Sequence, residues 1–392
     1  MTDSQSLNLH WVRSIQSFVS VFDDTKIASF ATIAFFTSLL VGLMIVVTRS
    51  WHIRFTSDYI GGVQKFHTGR TPRIGGVSLV AGLLVVSVFG FGQLPQGHPL
   101  KSVGQLFNIV NMAAIPAFLF GFIEDITHKV SPFVRLLATA FSGLLACWAT
   151  GYSLENVDVW GLNFILSFAV VSYLFTVTSV AGVANSLNII DGFNGLASIT
   201  ATMAFLGYGL MAYQVADTSL LVICILYAAV VAGFFIINWP YGRLFLGDGG
   251  AYLTGFLLAW VAVMLKVRHE QISAFAIVIV LAYPLIEMIF TIYRRLVRNL
   301  NPGMPDSLHF HSLLKRRYVS RWFAHRSKKF RNSLVGLWVG SMSVAGVLLG
   351  YTVMFSDRWS LAVLFMLVVG YILMYSRMVN HRWVLPWQVL KP

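Results

Sequence analysis

Charged residues are scarce in this sequence. Only 11% of its 392 residues are Asp, Glu, Lys or Arg, whereas 57% are hydrophobic and the mean hydropathy is +0.74. A soluble domain carries roughly one quarter charged residues, so this composition excludes an ordinary soluble fold and predicts an all-α polytopic membrane protein. The net charge of +13 then follows from basic cytoplasmic loops, and we expect no nucleic-acid partner.

Cysteine is almost absent as well. The two cysteines, Cys147 and Cys224, fall in apolar runs, which excludes a disulfide framework and a thiolate metal cluster and favours a packing role. Internal repeats and low-complexity tracts are missing, and the first 26 residues do not have the ordered parts of a removable signal peptide. We expect one membrane-embedded domain over 1–392, with a motif-bearing core at about 60–320 and a C-terminal helix pair at about 333–375.

Long apolar runs are abundant, and each approaches the roughly 20 residues that a membrane-spanning helix needs. The runs are 27–48, 74–92, 106–123, 136–150, 162–181, 196–215, 219–237, 253–265, 272–293, 333–355 and 359–375. These are eleven predicted spans, with ten as the alternative because several are short. With the amino terminus outside, the cytoplasmic segments contain 22 of the 28 Lys and Arg residues, so we predict a cytoplasmic carboxyl terminus.

Seven of the 15 acidic residues lie on the same predicted cytoplasmic side, and the outside face keeps a scattering that includes Asp23, Asp24, Glu155, Asp158 and Asp217. The seven are Asp58, Glu124, Asp125, Asp191, Asp248, Glu287 and Asp306. A proton-coupled transporter tends to place carboxylates near the bilayer midplane instead. Carboxylates at one membrane face predict a site that takes a soluble substrate from the cytoplasm and an oily one from the bilayer.

The stretch Asn185–Leu196, which reads N-S-L-N-I-I-D-G-F-N-G-L, places polar side chains between two apolar runs. Unpaired polar groups at membrane depth cost several kcal/mol each, so they are usually functional or buried in protein. On a helical path Asn188, Asp191 and Asn194 would share one face, and Asn185 would continue the row. The alternative is a short polar turn between two membrane helices.

Two further loops present carboxylates. Glu124-Asp125 ends an apolar run, where adjacent acids repel each other and the negative end of a helix. Asp248 is flanked by Gly247 and Gly249 just before a new apolar run, where free backbone N–H groups suit a phosphate. Mg²⁺ fits both loops because it takes oxygen ligands and shares them with phosphate. A solvated acid pair and a plain glycine turn are the alternatives.

Basic side chains lie in the first predicted cytoplasmic loop, and two histidines lie in the long cytoplasmic loop that follows the ninth span. Lys65, Arg70 and Arg73 can hold phosphate, although any cytoplasmic loop is rich in basic residues. His309 and His311 can bind phosphate or donate a proton. Zinc is the rival interpretation, but it would require further His or Cys ligands, and neither cysteine is near.

Together these loops resemble the polyprenyl-phosphate N-acetylhexosamine-1-phosphate transferases of glycosyltransferase family 4, in five motifs between about His67 and Arg317. The resemblance implies transfer of a sugar 1-phosphate from a cytoplasmic UDP-sugar to undecaprenyl phosphate, with UMP as the second product. It also implies Mg²⁺ as the cofactor, with Mn²⁺ as a substitute, and a multi-pass protein of the bacterial inner membrane. A homodimer is left open.

The residues and the resemblance together predict the site. The predicted catalytic residues are Asp125, Glu124, Asp191, His309 and His311, and the predicted metal ligands are Asp248 and Asn188. The predicted substrate-binding residues are Lys65, His67, Arg73, Arg135, Asn185, Asn194, Gly249 and Arg316. Whether Asp125 acts as a base or only positions phosphate or metal stays open at this point.

The chain departs from the family pattern at three positions. Glu124 replaces the first paired aspartate, Asn194 replaces the second acid of the D-G-x-D-G motif, and Ser312 stands at the fourth position of the H-x-H-H signature. The triple-histidine signature of the muramoyl-pentapeptide enzymes is missing, which favours a peptide-free UDP-N-acetylhexosamine. The alternatives are an inactive family member and a non-catalytic polyprenyl-phosphate carrier or flippase. Clustered carboxylates and the expected lack of broken helices in matching halves argue against a carrier.

Overall fold

The computed structural model describes residues 25–57, 70–301, 303 and 306–380, and the regular structure in these residues is helical apart from one isolated bridge between Ser57 and Pro72. The helices are α1 Thr25–Val47, α2 Arg49–Thr56, α3 Gly76–Val85, α4 Leu100–Ala113, α5 Ile115–Thr127, α6 Pro132–Thr150, α7 Leu162–Leu166, α8 Ala169–Ile190, α9 Leu196–Gln214, α10 Thr218–Asn238, α11 Gly247–Arg268, α12 Ala274–Val280, α13 Ala282–Val297, α14 Phe310–Leu314, α15 Ser320–Trp322, α16 Lys328–Thr352 and α17 Asp357–Asn380. Helix α3 continues through a π turn and a 3₁₀ turn to Gln93, and α14 continues as a π turn to Val319.

Within the described residues, nine helices are long and apolar enough to cross a membrane, and two bent pairs raise the number to eleven. The pairs are α4 with α5 and α12 with α13. All eleven predicted apolar runs overlap these helices, so the expected all-α polytopic membrane fold is confirmed. With eleven crossings, Thr25 and Asn380 lie at opposite ends of the bundle. Which end faces the cytoplasm stays a prediction.

The breaks inside two spans were missed by the sequence analysis, and the expectation of no broken helices is wrong. The α4–α5 pair bends by 43° and the α12–α13 pair by 88°. Pro116 and Pro284 lie in the first turns of α5 and α13, where proline is tolerated but prevents continuation of the preceding helix. These two prolines were the available signal. The argument against a carrier therefore depends on the carboxylates alone.

Two predicted loops are in fact helical. Helix α8 runs to Ile190 rather than ending near residue 181, so Asn185 and Asn188 lie inside the helix. Helix α11 begins at Gly247, which puts Asp248 in its first turn rather than before it. A span predicted from hydropathy stops where polar residues begin. The helix itself can continue into polar sequence when its side chains are buried against protein.

Helices α10 and α11 form the centre of the bundle. The apolar window of α11 is 89% buried, whereas those of α1 and α17 are each 28% buried and face outward. Apolar burial contributes little free energy in lipid, so close packing holds such helices together. Gly255 of α11 packs directly against Ala184 of α8, which brings the two helices that carry Asp248 and Asn188 together.

Ion pairs close the end of the bundle away from Asp248. Lys266 is 3% exposed, and its Nζ lies 2.8 Å from the Oδ1 of Asp158. Asp217 caps α10 by accepting a hydrogen bond from the backbone N–H of Leu220 and pairs with Arg268 at 3.0 Å. These pairs fix the loops at this end, so the carboxylates of the opposite end are the ones available for chemistry.

Candidate active site

The buried carboxylate of Asp125 holds the first turn of α11. Its Oδ1 accepts a hydrogen bond from the backbone N–H of Asp248 at 2.8 Å, and its Oδ2 accepts one from Gly249 at 2.9 Å. The first turn of a helix leaves N–H groups without intrahelical partners, and its positive end attracts an anion. Asp125 is 1% exposed, so it joins α5 to α11 in the protein interior.

The chain turns sharply at Gly247, where φ is +74°. A side chain is strained in this left-handed region, and a Cβ here would collide with the backbone oxygen of Arg73 and the carboxylate of Asp125. Gly249, predicted to bind substrate, also packs closely, since its Cβ position lies 2.9 Å from the backbone nitrogen of Phe122. Both glycines therefore bring backbone segments together at this point.

Asp248 lies at the centre of the site. Its Oδ2 is ion-paired with the guanidinium of Arg135, and its Oδ1 accepts a hydrogen bond from the Nδ2 of Asn188 at 2.7 Å. The guanidinium of Arg135 also stands 5.7 Å from the centre of the Tyr252 ring. The buried Nε of Arg135 has no hydrogen-bond partner among the described residues. An unpaired buried donor is costly, and an anionic ligand would satisfy it.

Arg73 bridges the two carboxylates. Its Nη2 lies 3.6 Å from the Oδ1 of Asp125 and 3.5 Å from the Oδ1 of Asp248. Carboxylates this close repel each other, and the two guanidiniums offset that repulsion. Asp125, Asp248, Arg73, Arg135 and Asn188 are called the acid cluster below. The structure thus brings together five of the predicted site residues from five separate elements, which are the segment before α3 and helices α5, α6, α8 and α11.

Glu124, which the sequence pairs with Asp125, lies outside the acid cluster. Its Oε2 accepts a hydrogen bond from the backbone N–H of Val130 at 2.7 Å and so closes the turn between α5 and α6. Adjacent residues on an α-helix diverge by about 100°, so only one of two neighbouring acids can face α11. The repulsion expected between the pair is relieved by this divergence.

The expected row of polar residues on one helix face is wrong beyond Ile190. Asp191 leaves the helical backbone, and the chain turns through Gly195, where φ is +80°, to start α9. Asn188 reaches the acid cluster from inside α8. Asn185 lies one turn earlier, where its Oδ1 accepts a hydrogen bond from the Tyr252 hydroxyl at 3.3 Å.

The last two polar residues of this stretch separate. Asp191 is half-buried at the end of α8, and its backbone N–H donates to the backbone oxygen of Asn188 at 3.2 Å. Asn194 is 1% exposed, and its Nδ2 donates to the Pro240 oxygen at 3.0 Å and the Ser333 hydroxyl at 3.1 Å. Asn194 therefore braces the α10–α11 loop against α16, and the structure does not bring it to the acid cluster.

The two histidines form a second cluster beside the α8–α9 turn. Their rings stack with centres 5.3 Å apart. The Nδ1 of His309 lies 2.9 Å from the Oε1 of Glu287, and the Nδ1 of His311 lies 2.8 Å from the Tyr283 hydroxyl. The Nε2 of His311 lies 3.8 Å from the position of a Cβ on Gly192, so this ring faces the turn that follows Asp191.

Burial sets the protonation of two groups on this loop. It lowers the pKa of His311 to about 3, despite the opposing charge of Glu287, so the ring is neutral at pH 7. Burial also lowers the pKa of Lys315 to about 7, and the charges of Arg331 and Lys328 lower it further in the same direction. Lys315 stands 5.5 Å from the centre of the Phe193 ring, beside His311.

The remaining predicted residues are peripheral or undescribed. Arg316 is exposed, donates to the Ser307 backbone oxygen and lines a cavity of about 280 Å³ with Arg317 and Arg321. Lys65 and His67 lie outside the described residues. Their predicted substrate contacts remain predictions.

The acid cluster suits one kind of metal site. Among the described residues, no group of three or more His, Cys, Asp and Glu side chains is arranged to hold a metal ion. Mg²⁺ often takes only one or two protein carboxylates and completes its shell with water and phosphate, and adjacent ligand oxygens are then about 3 Å apart. The 2.7 Å contact of Asn188 with Asp248 fits that spacing if the amide presents its oxygen. Zinc does not fit, because structural zinc takes four His, Cys or acidic ligands and, in the part of the chain that the structure describes, His309 and His311 have no third such ligand beside them.

Several contributing residues were not assigned from the sequence. Tyr252 contacts both Arg135 and Asn185, and Tyr283 holds His311. An aromatic residue in an apolar helix carries no signal of such a role. Glu287 did carry one, because an ionisable residue inside a membrane helix is usually functional.

Three known proteins that this chain resembles are sugar-phosphate transferases by name. The sequence pattern described as Glycosyl transferase family 4 matches residues 107–266, which include most of the acid cluster. The undecaprenyl-phosphate alpha-N-acetylglucosaminyl 1-phosphate transferase of Yersinia pestis is 25% identical over 309 residues, covering 78% of this chain and 80% of its own. The same enzyme of Escherichia coli K12 is 26% identical, with 78% and 79% covered. The phospho-N-acetylmuramoyl-pentapeptide-transferase of Streptococcus thermophilus is 29% identical over 224 residues, covering 53% and 65%.

Proposed function

We propose that the chain, whose residues 107–266 match glycosyl transferase family 4, transfers a sugar 1-phosphate from a UDP-sugar to undecaprenyl phosphate and releases UMP. The observation that carries this proposal is the acid cluster, where two carboxylates and two guanidiniums meet at one end of an apolar bundle. A charged, soluble substrate and a lipid-borne one can meet only at such an end. The product would begin a cell-surface glycan such as a lipopolysaccharide O-antigen.

The sugar we propose is a peptide-free N-acetylhexosamine. The N-acetylglucosaminyl transferases align with 78% of this chain, whereas the muramoyl-pentapeptide enzymes align with 53–59%. The missing triple-histidine signature favours the same choice. The basic loops further support a cytoplasmic active site in a bacterial inner membrane, with the amino terminus outside.

The reaction is a phosphoryl transfer without redox change. An oxygen of the lipid phosphate bonds to the β-phosphorus, and the bond from that phosphorus to the bridging oxygen breaks. UMP leaves with that oxygen. Catalysis of this kind consists mostly of positioning and charge neutralisation, which is what an array of fixed charges provides.

Asp248 and Asn188 would hold the Mg²⁺ that the family requires, with Mn²⁺ as a substitute. When bound, the ion supplies positive charge to the diphosphate. Arg135 contributes a second positive charge and an unpaired Nε that can donate to a phosphate oxygen. Arg73 stands between Asp125 and Asp248 and can turn one donor toward the lipid phosphate.

Asp125 is proposed to position the site rather than to act as a base. Both of its oxygens accept backbone N–H groups of the α11 turn, and it is 1% exposed. A phosphate monoester has its second pKa near 6, so the nucleophile is already largely ionised at neutral pH. The site therefore needs no base for this step.

His309, His311 and Asp191 are proposed to contact the UDP-sugar. The histidine pair faces the α8–α9 turn, and Asp191 opens that turn at the end of the helix that carries Asn188. Neutral His311 donates or accepts hydrogen bonds without adding charge. Arg316 and its neighbours add positive potential at the rim of the site.

The titration of Lys315 gives a pH prediction. Its pKa of about 7 means that its positive charge is lost as the pH rises through 7, so we expect kcat/KM for the anionic UDP-sugar to fall on that side. Lys315→Arg keeps the charge, so it should move this alkaline limb to higher pH. The exposed Lys329→Arg is the matched control and should leave the profile unchanged. An alkaline limb that Lys315→Arg does not move would contradict the assignment.

The proposed activity is tested with purified protein in detergent, a panel of UDP-sugars, undecaprenyl phosphate and Mg²⁺. We expect UMP release that needs both substrates, occurs with an N-acetylhexosamine donor and stops when a chelator removes the cation. A carrier or flippase would instead bind or move the lipid phosphate without a UDP-sugar. The absence of UMP with every donor would leave the inactive family member as the explanation.

A further inference from the structure

Glu287 is a fully buried carboxylate in the membrane-spanning α12–α13 pair. Both of its oxygens contact the loop that carries His309 and His311. Its Oε1 lies 2.9 Å from the Nδ1 of His309, and its Oε2 accepts the backbone N–H of Phe310 at 3.1 Å. Burying a carboxylate costs several kcal/mol unless it is hydrogen-bonded and compensated. An apolar residue would pack here at lower cost. We therefore attribute the carboxylate to its hydrogen bonds with His309 and Phe310.

The last helix completes this arrangement. The hydroxyl of Tyr371 in α17 donates to the Oε2 of Glu287 at 2.9 Å. One turn later, the Tyr375 hydroxyl donates to the Leu308 oxygen at 3.2 Å, and Arg294 of α13 donates to the same oxygen at 2.7 Å. Helix α17 therefore supports the loop that carries both histidines, although the sequence places it outside the motif-bearing core.

The hydrogen bonds decide which ring nitrogens face the substrate. A carboxylate only accepts, so the Nδ1 of His309 carries the proton that binds Glu287. The Nδ1 of His311 is likewise occupied, by Tyr283. In both rings the Nε2 is the nitrogen left for a ligand, and stacking at 15° between ring planes keeps the two parallel. A group that accepts a hydrogen bond from one ring nitrogen fixes the histidine tautomer in many sites.

We propose that Glu287, supported by Tyr371, is a positioning residue that fixes His309 as the Nδ1–H tautomer and directs its Nε2 toward the UDP-sugar. This inference rests on the proposed function for the identity of the ligand. It assigns the terminal helix a part in the active site. Glu287 itself does not touch the substrate.

The kinetic test compares Glu287→Gln with the wild type. The variant keeps the size of the side chain but its amide can donate to His309, so the tautomer is no longer fixed. We expect kcat/KM for the UDP-sugar to fall by about 10–100-fold, the range found for outer partners of functional histidines, with KM for the lipid phosphate unchanged. An equal rise in KM for both substrates, or wild-type kinetics, would overturn the proposal.

A double variant separates positioning from a general loss of structure. If Glu287 acts through His309, Glu287→Gln in a His309→Asn background should cause no further loss of kcat/KM. Independent roles would make the two losses multiply, which would contradict the proposal. Tyr371→Phe should lower kcat/KM in the same sense as Glu287→Gln but less. Tyr351→Phe is its control, because that buried hydroxyl donates to Gln214 at the opposite end of the bundle.

A readout that does not depend on turnover keeps this proposal distinct from the proposed function. Nitrogen-15 NMR of histidine-labelled protein in detergent reports which ring nitrogen is protonated. We expect an Nδ1–H tautomer for His309, assigned by its absence in His309→Asn, and its loss in Glu287→Gln. An Nε2–H tautomer for His309 in the wild type would overturn the positioning role even if the enzyme is active. Absence of UMP release with the expected tautomer would instead contradict the proposed function.

Discussion

Asp248→Asn is expected to reduce UMP release on the order of 10²–10³-fold, the loss seen when one preorganised electrostatic group is removed from an active site. Asp248 holds Arg135 and Asn188 at once, so removing its charge affects both positive-charge placement and the proposed cation site. The measurement is the rate of UMP release at saturating donor across a range of Mg²⁺ concentrations. A higher Mg²⁺ requirement should accompany the loss.

The control for this variant must account for Arg135. An unpaired buried guanidinium destabilises a fold by about 3–5 kcal/mol, so Asp248→Asn alone will lower the thermal midpoint. The double variant Asp248→Asn with Arg135→Gln should recover stability without recovering activity. Asp217→Asn removes a buried, paired acid at the opposite end and should retain activity. Activity near the wild-type level in Asp248→Asn would refute the metal-ligand assignment.

Asp125→Asn is expected to lower UMP release by about 10²-fold through the backbone rather than through lost basicity. An amide offers one acceptor to the two N–H groups of Asp248 and Gly249, so one of them is left unsatisfied at a cost of about 1–3 kcal/mol. The turn then shifts and moves Asp248 away from Arg135. The measurement is the pH profile of kcat, whose shape should not change because no base is removed.

The neighbouring acid makes a sharp comparison. Glu124→Gln can still accept the hydrogen bond from Val130, so its effect should be about twofold, typical of substitutions outside a buried network. If Glu124→Gln is as damaging as Asp125→Asn, both acids act in catalysis, which would contradict this division of roles. Loss of one limb of the pH profile in Asp125→Asn would show that Asp125 is a base after all.

The sequence contained enough to predict the spans and the gathering of loops. Apolar runs of about 20 residues identify membrane helices because unpaired backbone groups cannot face lipid, and all eleven predicted runs correspond to helices. Of the acids predicted for the cytoplasmic face, Asp125 and Asp248 do meet, and Asn188 joins them. These segments are 60 or more residues apart in the sequence. Their contact was predicted from the family resemblance and from their location on the same predicted side of the membrane.

Details of the site depend on packing that hydropathy does not report. Asn188 lies inside α8 because its amide is buried against Asp248, and a window average treats that asparagine only as the end of a span. Glu124 and Asp125 are equivalent in the sequence, but the turn angle of α5 lets one of them face α11. Asn194 was predicted to bind substrate, whereas its amide has partners on Pro240 and Ser333, a contact no spacing rule anticipates.

The most direct test of this account follows the β-phosphate itself. Purified protein is given UDP-N-acetylhexosamine labelled with radioactive phosphorus at the β position, together with undecaprenyl phosphate and Mg²⁺. We predict that the label moves into the organic-soluble lipid in equal amount to the UMP released, and that Asp248→Asn prevents both. Sugar transfer that leaves the labelled phosphate in aqueous UDP, or no lipid label with any N-acetylhexosamine donor, would contradict the proposed phosphoryl transfer.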